Sequence, residues 1–111
     1  MADDLLQEHS QVLAKGSPAL EQAAIDALAQ LIPLWKVQPD LKSIEREFKF
    51  TDYYETMAFV NALAWIAHTE DHHPDIFVTF NHCKVTYSTH TVKGLSRNDF
   101  ICAAKLDALI K

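Results

Sequence analysis

The spacing of apolar and polar positions changes period several times along the chain. Residues 1–16 carry little pattern and end at Gly16, which reads as a loosely attached arm or a short helix. Leu20, Ala24, Ala27, Leu28 and Leu31 then recur at helical spacing. Ser17 is the expected cap of that helix, Pro18 its first residue and Pro33 its stop. Residues 34–37 form a short strand candidate, and 38–40 have turn chemistry. Over 43–50 the period drops to two. Ile44, Phe48 and Phe50 share one face and Glu45, Glu47 and Lys49 the other, with Arg46 interrupting the apolar row. One wet face marks a half-buried antiparallel strand.

Asp52 followed by Glu55 fits a capping box opening a second helix. Tyr53, Met57, Val60, Ala64 and Ala67 form its expected stripe, widened by Phe59, Leu63 and Ile66. Pro74 ends it by pushing His73 out of the helical region, so the helix runs to about Asp71. Residues 76–80 and 83–90 alternate again, with a turn placed at 81–83, which reads as a hairpin. Ser96 and Asp99 have the spacing of a capping box before a last helix, whose apolar face is Phe100, Ile101, Ala104, Ala108 and Leu109. The order is α-β-β-α-β-β-α. It predicts an α+β fold, a four-stranded antiparallel sheet with helices packed on one face, as a single domain over 17–111 preceded by the arm. The other face of such a sheet must be solvated or covered by a partner chain.

Composition narrows the function. The chain has 111 residues, 49% of them hydrophobic and 23% charged, enough for one real core. Its net charge of −5 argues against binding a phosphate backbone, so no nucleic-acid partner is expected. No apolar run has the length of a membrane helix, and the opening Met-Ala-Asp-Asp has the wrong charge for a signal peptide. Cys83 and Cys102 lack metal spacing and read as reduced, packed thiols, which points to the cytoplasm. The informative excess is in histidine: six residues, most of them clustered from His68 to His90.

The densest segment is His68-Thr69-Glu70-Asp71-His72-His73-Pro74-Asp75. A solvated helix end would account for one such histidine, since a cation suits the negative end of the helix dipole. Three histidines and three carboxylates ended by a proline ask for more. A turn at 81–83 makes residues summing to about 164 face each other, so His90 falls near Pro74 and converges with His72 and His73 at one end of the sheet. Ser88 shares the side of His90. Such a cluster suits taking a proton from one ligand atom and giving it to another. The competing reading is a metal site, because His68 and His72 stand at i, i+4. Their glutamate, however, is one position late for H-E-x-x-H, and no metal is expected. Ser88, Thr89 and His90 lack a nucleophile-elbow signature.

These residues carry a resemblance. Asp71-His72-His73-Pro74-Asp75, the alternating strand over 85–88, Ser88-Thr89-His90 and Gly94-Leu95-Ser96 with Asp99 resemble the pterin-4a-carbinolamine dehydratase family, also known as the dimerisation cofactor of a homeodomain factor. The likeness covers about residues 20–111, and the stretch 61–75 is most similar to the bacterial branch. It implies elimination of water from 4a-hydroxytetrahydropterin to give quinonoid dihydropterin, in recycling for an aromatic amino-acid hydroxylase. It implies His72, His73 and His90 as catalytic histidines. Asp71, Pro74, Ser88 and Thr89 are implied to shape the pterin pocket and Asp99 to support it. Many members have glutamate where this chain has His68, so His68 and Glu70 join the expected substrate-binding set. Lys93 stands where a small residue is common. The pterin is the substrate, no cofactor is implied, and the family forms homodimers or homotetramers. The alternatives are a non-catalytic dimerisation or coactivator module and a histidine-rich metal-binding protein.

Overall fold

The computed structural model describes residues 2–110. In chain order the elements are α1 (Ala2–Gln7), α2 (Gln22–Ala29), β1 (Lys36–Val37), β2 (Ile44–Lys49), α3 (Tyr53–Glu70), β3 (Asp75–Val78), β4 (His82–Tyr87), a 3₁₀ turn (His90–Val92) and α4 (Arg97–Asp107). The four strands form one antiparallel sheet in the order β1-β2-β4-β3. This is the α+β arrangement expected from the pattern, with a helix added at the front.

Strands β2 and β4 alternate as read, whereas the edge strand β3, where alternation was also expected, is exposed at Asp75, Ile76 and Phe77 alike. Ile44 and Phe48 of β2 and Cys83, Val85 and Tyr87 of β4 are buried, and α3 and α4 pack on that side. The opposite face carries Glu45, Glu47 and Lys49 of β2 with Lys84 and Thr86 of β4, a surface built for water. Arg46 breaks the apolar row at little cost. Its guanidinium lies over the Phe48 ring at 4.2 Å and donates to Asp107, which also accepts from Trp35 Nε1 at 2.8 Å.

Four local expectations need correction. The arm is helical but firmly attached. Leu5 is fully buried in the core, worth about 1.5–3 kcal/mol for one such side chain. Ser17 and Pro18 do not open α2, which begins at Gln22 with Glu21 at the N-cap. Residues 17–20 instead pass along the Gly94–Leu95 backbone. The Leu20 N–H donates to the Leu95 carbonyl at 2.9 Å, and a Cβ on Gly94 would meet Ala19 Cβ at 3.0 Å. The buried stripe of α3 is Thr56, Phe59, Leu63, Ala67 and Glu70, not the one through Tyr53, Met57, Val60 and Ala64. What rotates the helix is Thr56, whose hydroxyl is bonded to the Asp52 and Phe80 carbonyls.

The fourth correction is the hairpin register. Asp75 pairs with Thr86 and Ile76 with Val85, so facing residues sum to 161, because the turn is centred between Phe80 and Asn81, with Thr79 N–H donating to the His82 carbonyl at 2.9 Å. His82 is thus the first residue of β4, opposite Lys49. Among the described residues, no helix is long and apolar enough to cross a membrane.

Candidate active site

The end of α3 sets the geometry. Asp52 caps its start by accepting from Glu55 N–H at 2.9 Å. At its other end Asp71 takes a left-handed conformation, φ 50° and ψ 45°. Asp71 N–H bonds back to the His68 carbonyl and His72 N–H to the Ala67 carbonyl at 3.2 Å, the paired bonds of a Schellman motif. Glycine usually fills that position, but a short polar side chain tolerates it. The reversal turns the chain sharply, so that consecutive residues go to different places. His72 enters the protein, its side chain 12% exposed, while His73 stays at the surface.

His72 meets a network assembled by β4 and α4. Its Nε2 lies 2.6 Å from Asp99 Oδ1. Asp99 is fully buried, and its Oδ2 accepts from Ser96 N–H at 3.0 Å and from the Thr89 hydroxyl at 2.8 Å. Thr89 has one proton to give, so the Ser96 hydroxyl, 2.7 Å away, donates to Thr89 Oγ1. The chain Ser96→Thr89→Asp99 therefore points its dipoles at one carboxylate, which in turn holds His72. Nε2 carries the proton donated to Asp99, and Nδ1 is the ring nitrogen left for a ligand. The His72 ring also stacks on Tyr87, centroids 5.6 Å apart and planes within 5°. Burial pushes the Tyr87 phenol well above the usual tyrosine range, so the stacking partner stays neutral.

The other residues in the cavity are less constrained. Asp71, His72, His73, Ser88, Thr89, His90 and Thr91 line one space of about 230 Å³. His90 lies beyond the end of β4, in the 3₁₀ turn, where Lys93 at φ 57° and a Thr89–Gly94 bridge bend the chain back. A second space of about 250 Å³ shares Asp71, His72, Thr89 and Thr91 with the first and continues to Glu70, Asn98 and the arm residues Ser10, Gln11, Val12 and Leu13.

Of the residues singled out in the sequence, His72, His73, His90, Asp71, Ser88 and Thr89 share the first space, and Asp99 stands behind it. Pro74 lies outside the lining, leading into β3. Glu70 lines only the second space and is held by the arm and α4: Ser10 N–H donates at 2.7 Å and His9 Nδ1 lies at 2.9 Å, with Lys105 Nζ of α4 at 3.9 Å. Burial would raise its carboxyl, but these partners outweigh it and hold the group below the usual carboxylate range. His68 is exposed, its ring 5.4 Å from that of Trp65, and it lines neither space. His68 and His72 therefore diverge. Among the described residues no three His, Cys, Asp or Glu side chains are grouped to hold a metal ion. Cys83 and Cys102 are free and buried, and burial raises both thiols, Cys102 to about 11. The sequence reading missed Tyr87, Asn98 and the arm. The strand alternation placed Tyr87 inward, but nothing in it marked a ring for stacking.

Comparison with known proteins gives a consistent picture. The family described as Pterin 4 alpha carbinolamine dehydratase matches residues 18–109. A protein of Nitrosospira multiformis named "Putative pterin-4-alpha-carbinolamine dehydratase" is 50% identical over 109 residues, covering 98% of this chain and 95% of its own length. A Legionella pneumophila protein of the same name is 48% identical, covering 99% and 98%. Among solved structures, a transcriptional coactivator/pterin dehydratase from Brucella melitensis superposes with a TM-score of 0.80 at 28% identity, over 84% of this chain and 99% of that one. A pterin dehydratase-like protein identified as a RuBisCO assembly factor in the alpha-carboxysome matches with a TM-score of 0.60 at 28% identity, over 68% and 87%.

Proposed function

The chain belongs to the pterin 4 alpha carbinolamine dehydratase family, and on that premise we propose that it eliminates water from 4a-hydroxytetrahydropterin. The observation that carries this reading is the fixed His72–Asp99–Thr89–Ser96 chain ending in a cavity that His73 and His90 also line.

The reaction needs two proton movements and no redox change. The C4a–O bond breaks, the departing hydroxyl takes a proton and leaves as water, and the N5 lone pair forms the C4a=N5 bond as the N5 proton is lost. The product is the quinonoid dihydropterin. Three imidazoles around one space supply an acid and a base for these steps. His72, oriented by Asp99, offers Nδ1 at a fixed place. His73 and His90 are exposed to water. Asp71, Ser88 and Thr89 shape the pocket around the ring. Pro74 limits the backbone there, and Glu70 and His68 flank the site, Glu70 through the arm. The protein works in the cytoplasm without a metal or organic cofactor. Its substrate comes from an aromatic amino-acid hydroxylase, whose product is this carbinolamine.

Self-association is part of the same proposal. Tyr54 and Trp65 on α3 and Phe77 and Phe80 around the edge strand β3 are each more than 60% exposed, an apolar surface that a second copy would cover. The charged outer face of the sheet would stay in water, so the edge and α3 are the expected contacts.

The test follows the ultraviolet absorbance of freshly formed 4a-hydroxytetrahydropterin with and without the protein. Dehydration faster than the spontaneous rate is expected. An unchanged rate would overturn the assignment.

A further inference from the structure

The arm is firmly built, although the matched family domain starts only at residue 18. The Brucella structure is matched over 99% of its own length by 84% of this chain, whereas the Nitrosospira and Legionella relatives align over 98–99% of this chain. The arm thus lies outside the matched family domain, and the Nitrosospira and Legionella relatives align along it.

Its attachments are specific. Glu8 accepts two bonds from Arg97, each at 2.6 Å. Ser10 N–H is held by the buried Glu70 carboxylate. Asn98 clasps the backbone of Gln11 from both sides, accepting from its N–H at 3.0 Å and donating to its carbonyl at 2.8 Å. Lys105 Nζ donates to the Leu6 carbonyl at 3.0 Å. Leu5 and the Glu8–Arg97 pair already fasten residues 5–8 to the domain. The clasp by Asn98 instead fixes residues 10–13 as a wall of the space next to His72, continuous with the histidine cavity through Asp71, Thr89 and Thr91.

We propose that this arm wall is a substrate-specificity element, which receives the hydroxylated side chain at C6 of the pterin while the ring lies among the histidines. The inference rests on the pterin reading above. C6 adjoins N5, so its substituent leaves the ring beside the reacting atoms and needs room adjoining the histidines. The groups lining the second space suit a flexible hydroxylated chain better than the rigid amino-pyrimidine edge. Glu70 and Asn98 are committed to the arm backbone. That leaves the Asp71 carboxylate, the Thr91 hydroxyl and the Gln11 amide, whose Nε2 also donates to the His9 carbonyl at 3.2 Å and so turns its Oε1 and second N–H to a ligand, with Val12 and Leu13 for the carbon chain. Gln11 and Asn98 act here as binding and positioning residues; neither needs to touch the atoms that react.

The test compares two substrates, 4a-hydroxytetrahydropterins with a dihydroxypropyl or a methyl group at C6, in the full-length protein and in Gln11→Ala and Asn98→Ala. Equilibrium titration with the corresponding stable dihydropterins runs alongside. The dihydroxypropyl compound should be preferred by the unaltered protein. Each variant should lose about three- to tenfold of that preference, the loss expected for one or two neutral hydrogen bonds, in KM rather than kcat. Gln11→Ala keeps the backbone clasp, so it remains decisive if Asn98→Ala loosens the fold. A preference unchanged in Gln11→Ala, or a loss confined to kcat, overturns the proposal and leaves the arm as a clamp. If the unaltered protein does not accelerate dehydration, the dehydratase reading fails instead, and the titrations decide the arm separately. Selective binding lost in Gln11→Ala upholds it, and equal or absent binding of the two dihydropterins rejects it.

Discussion

On its inner side the histidine cavity is bounded by groups whose hydrogen bonds are already committed. His72 is held by Asp99 and stacked on Tyr87, and Asp99 accepts from Thr89 and Ser96 as well. On its outer side His73 and His90 are exposed, and among the described residues neither imidazole has a hydrogen-bond partner. Two histidines adjacent in the chain thus sit in opposite environments. The difference separates two requirements of acid–base chemistry. One group must be where the proton is, which costs conformational freedom. Another must exchange protons with solvent, which needs exposure. The inner side is therefore coupled to folding stability and the outer side is not.

The most damaging way to break this contrast is Asp99→Ala. It strands the His72, Thr89 and Ser96 donors in a buried place. A loss of about 3 kcal/mol is expected, read as a fall of roughly 10 °C or more in Tm, together with the activity loss of a misplaced His72. His72→Ala should lower dehydration about a hundred- to ten-thousand-fold and also cost about 1–3 kcal/mol, because the Asp99 carboxylate loses a partner. Thermal melts and turnover on the same preparations check both.

His73→Ala and His90→Ala should cost turnover in the same range but leave folding stability within about 0.5 kcal/mol of the unaltered protein. The His72→Ala/His73→Ala double variant should lose less than the product of the single losses, because both serve one proton path. A stability loss in His73→Ala equal to that in His72→Ala would erase the distinction between the two sides.

A smaller effect separates the arm from the cavity. The folded-state pKa of Glu70 is held below its ordinary 4.5, so protonation is disfavoured in the native state. Its contribution is present above pH 4.5 and is lost as pH falls through the lowered native value. Glu70→Gln should therefore show a shallower fall in stability below pH 4.5 than the unaltered protein, measured by denaturant titration at several pH values. Parallel curves would show that the arm is not held by this carboxylate.

The fold was largely legible, because period-two and period-3.6 patterns report which face is buried and the capping residues Asp52, Ser96 and Asp99 mark helix starts. What the pattern could not give depends on contacts distant in sequence. Thr56 turned α3 by bonding the Phe80 carbonyl, 24 residues away, and Leu20 was kept out of a helix by the Leu95 carbonyl. The arm looked weak because its anchors, Leu5 apart, are polar and lie some 60 to 90 positions along the chain, at Glu70, Arg97 and Asn98. The histidine cluster was visible from spacing and resemblance. Its division into a held and a free member was not, because that depends on a left-handed aspartate at 71, and nothing in the composition marks it.

The smallest expected effect is a control on the hairpin. His82 opens β4, opposite Lys49, with Thr79 N–H on its carbonyl. His90 lies eight residues further along. At about 3.3 Å per strand residue the five steps of β4 alone separate its two ends by roughly 17 Å, beyond the reach of any side chain. The register also settles why composition misleads here: His82 belongs to the same histidine-rich stretch as the others and is chemically identical, yet it sits at the wrong end of the sheet. His82→Ala should leave dehydration within about twofold and Tm nearly unchanged. If it were as damaging as His73→Ala, activity would track histidine content or the integrity of β4, and the one-ended cavity would lose its claim to the chemistry.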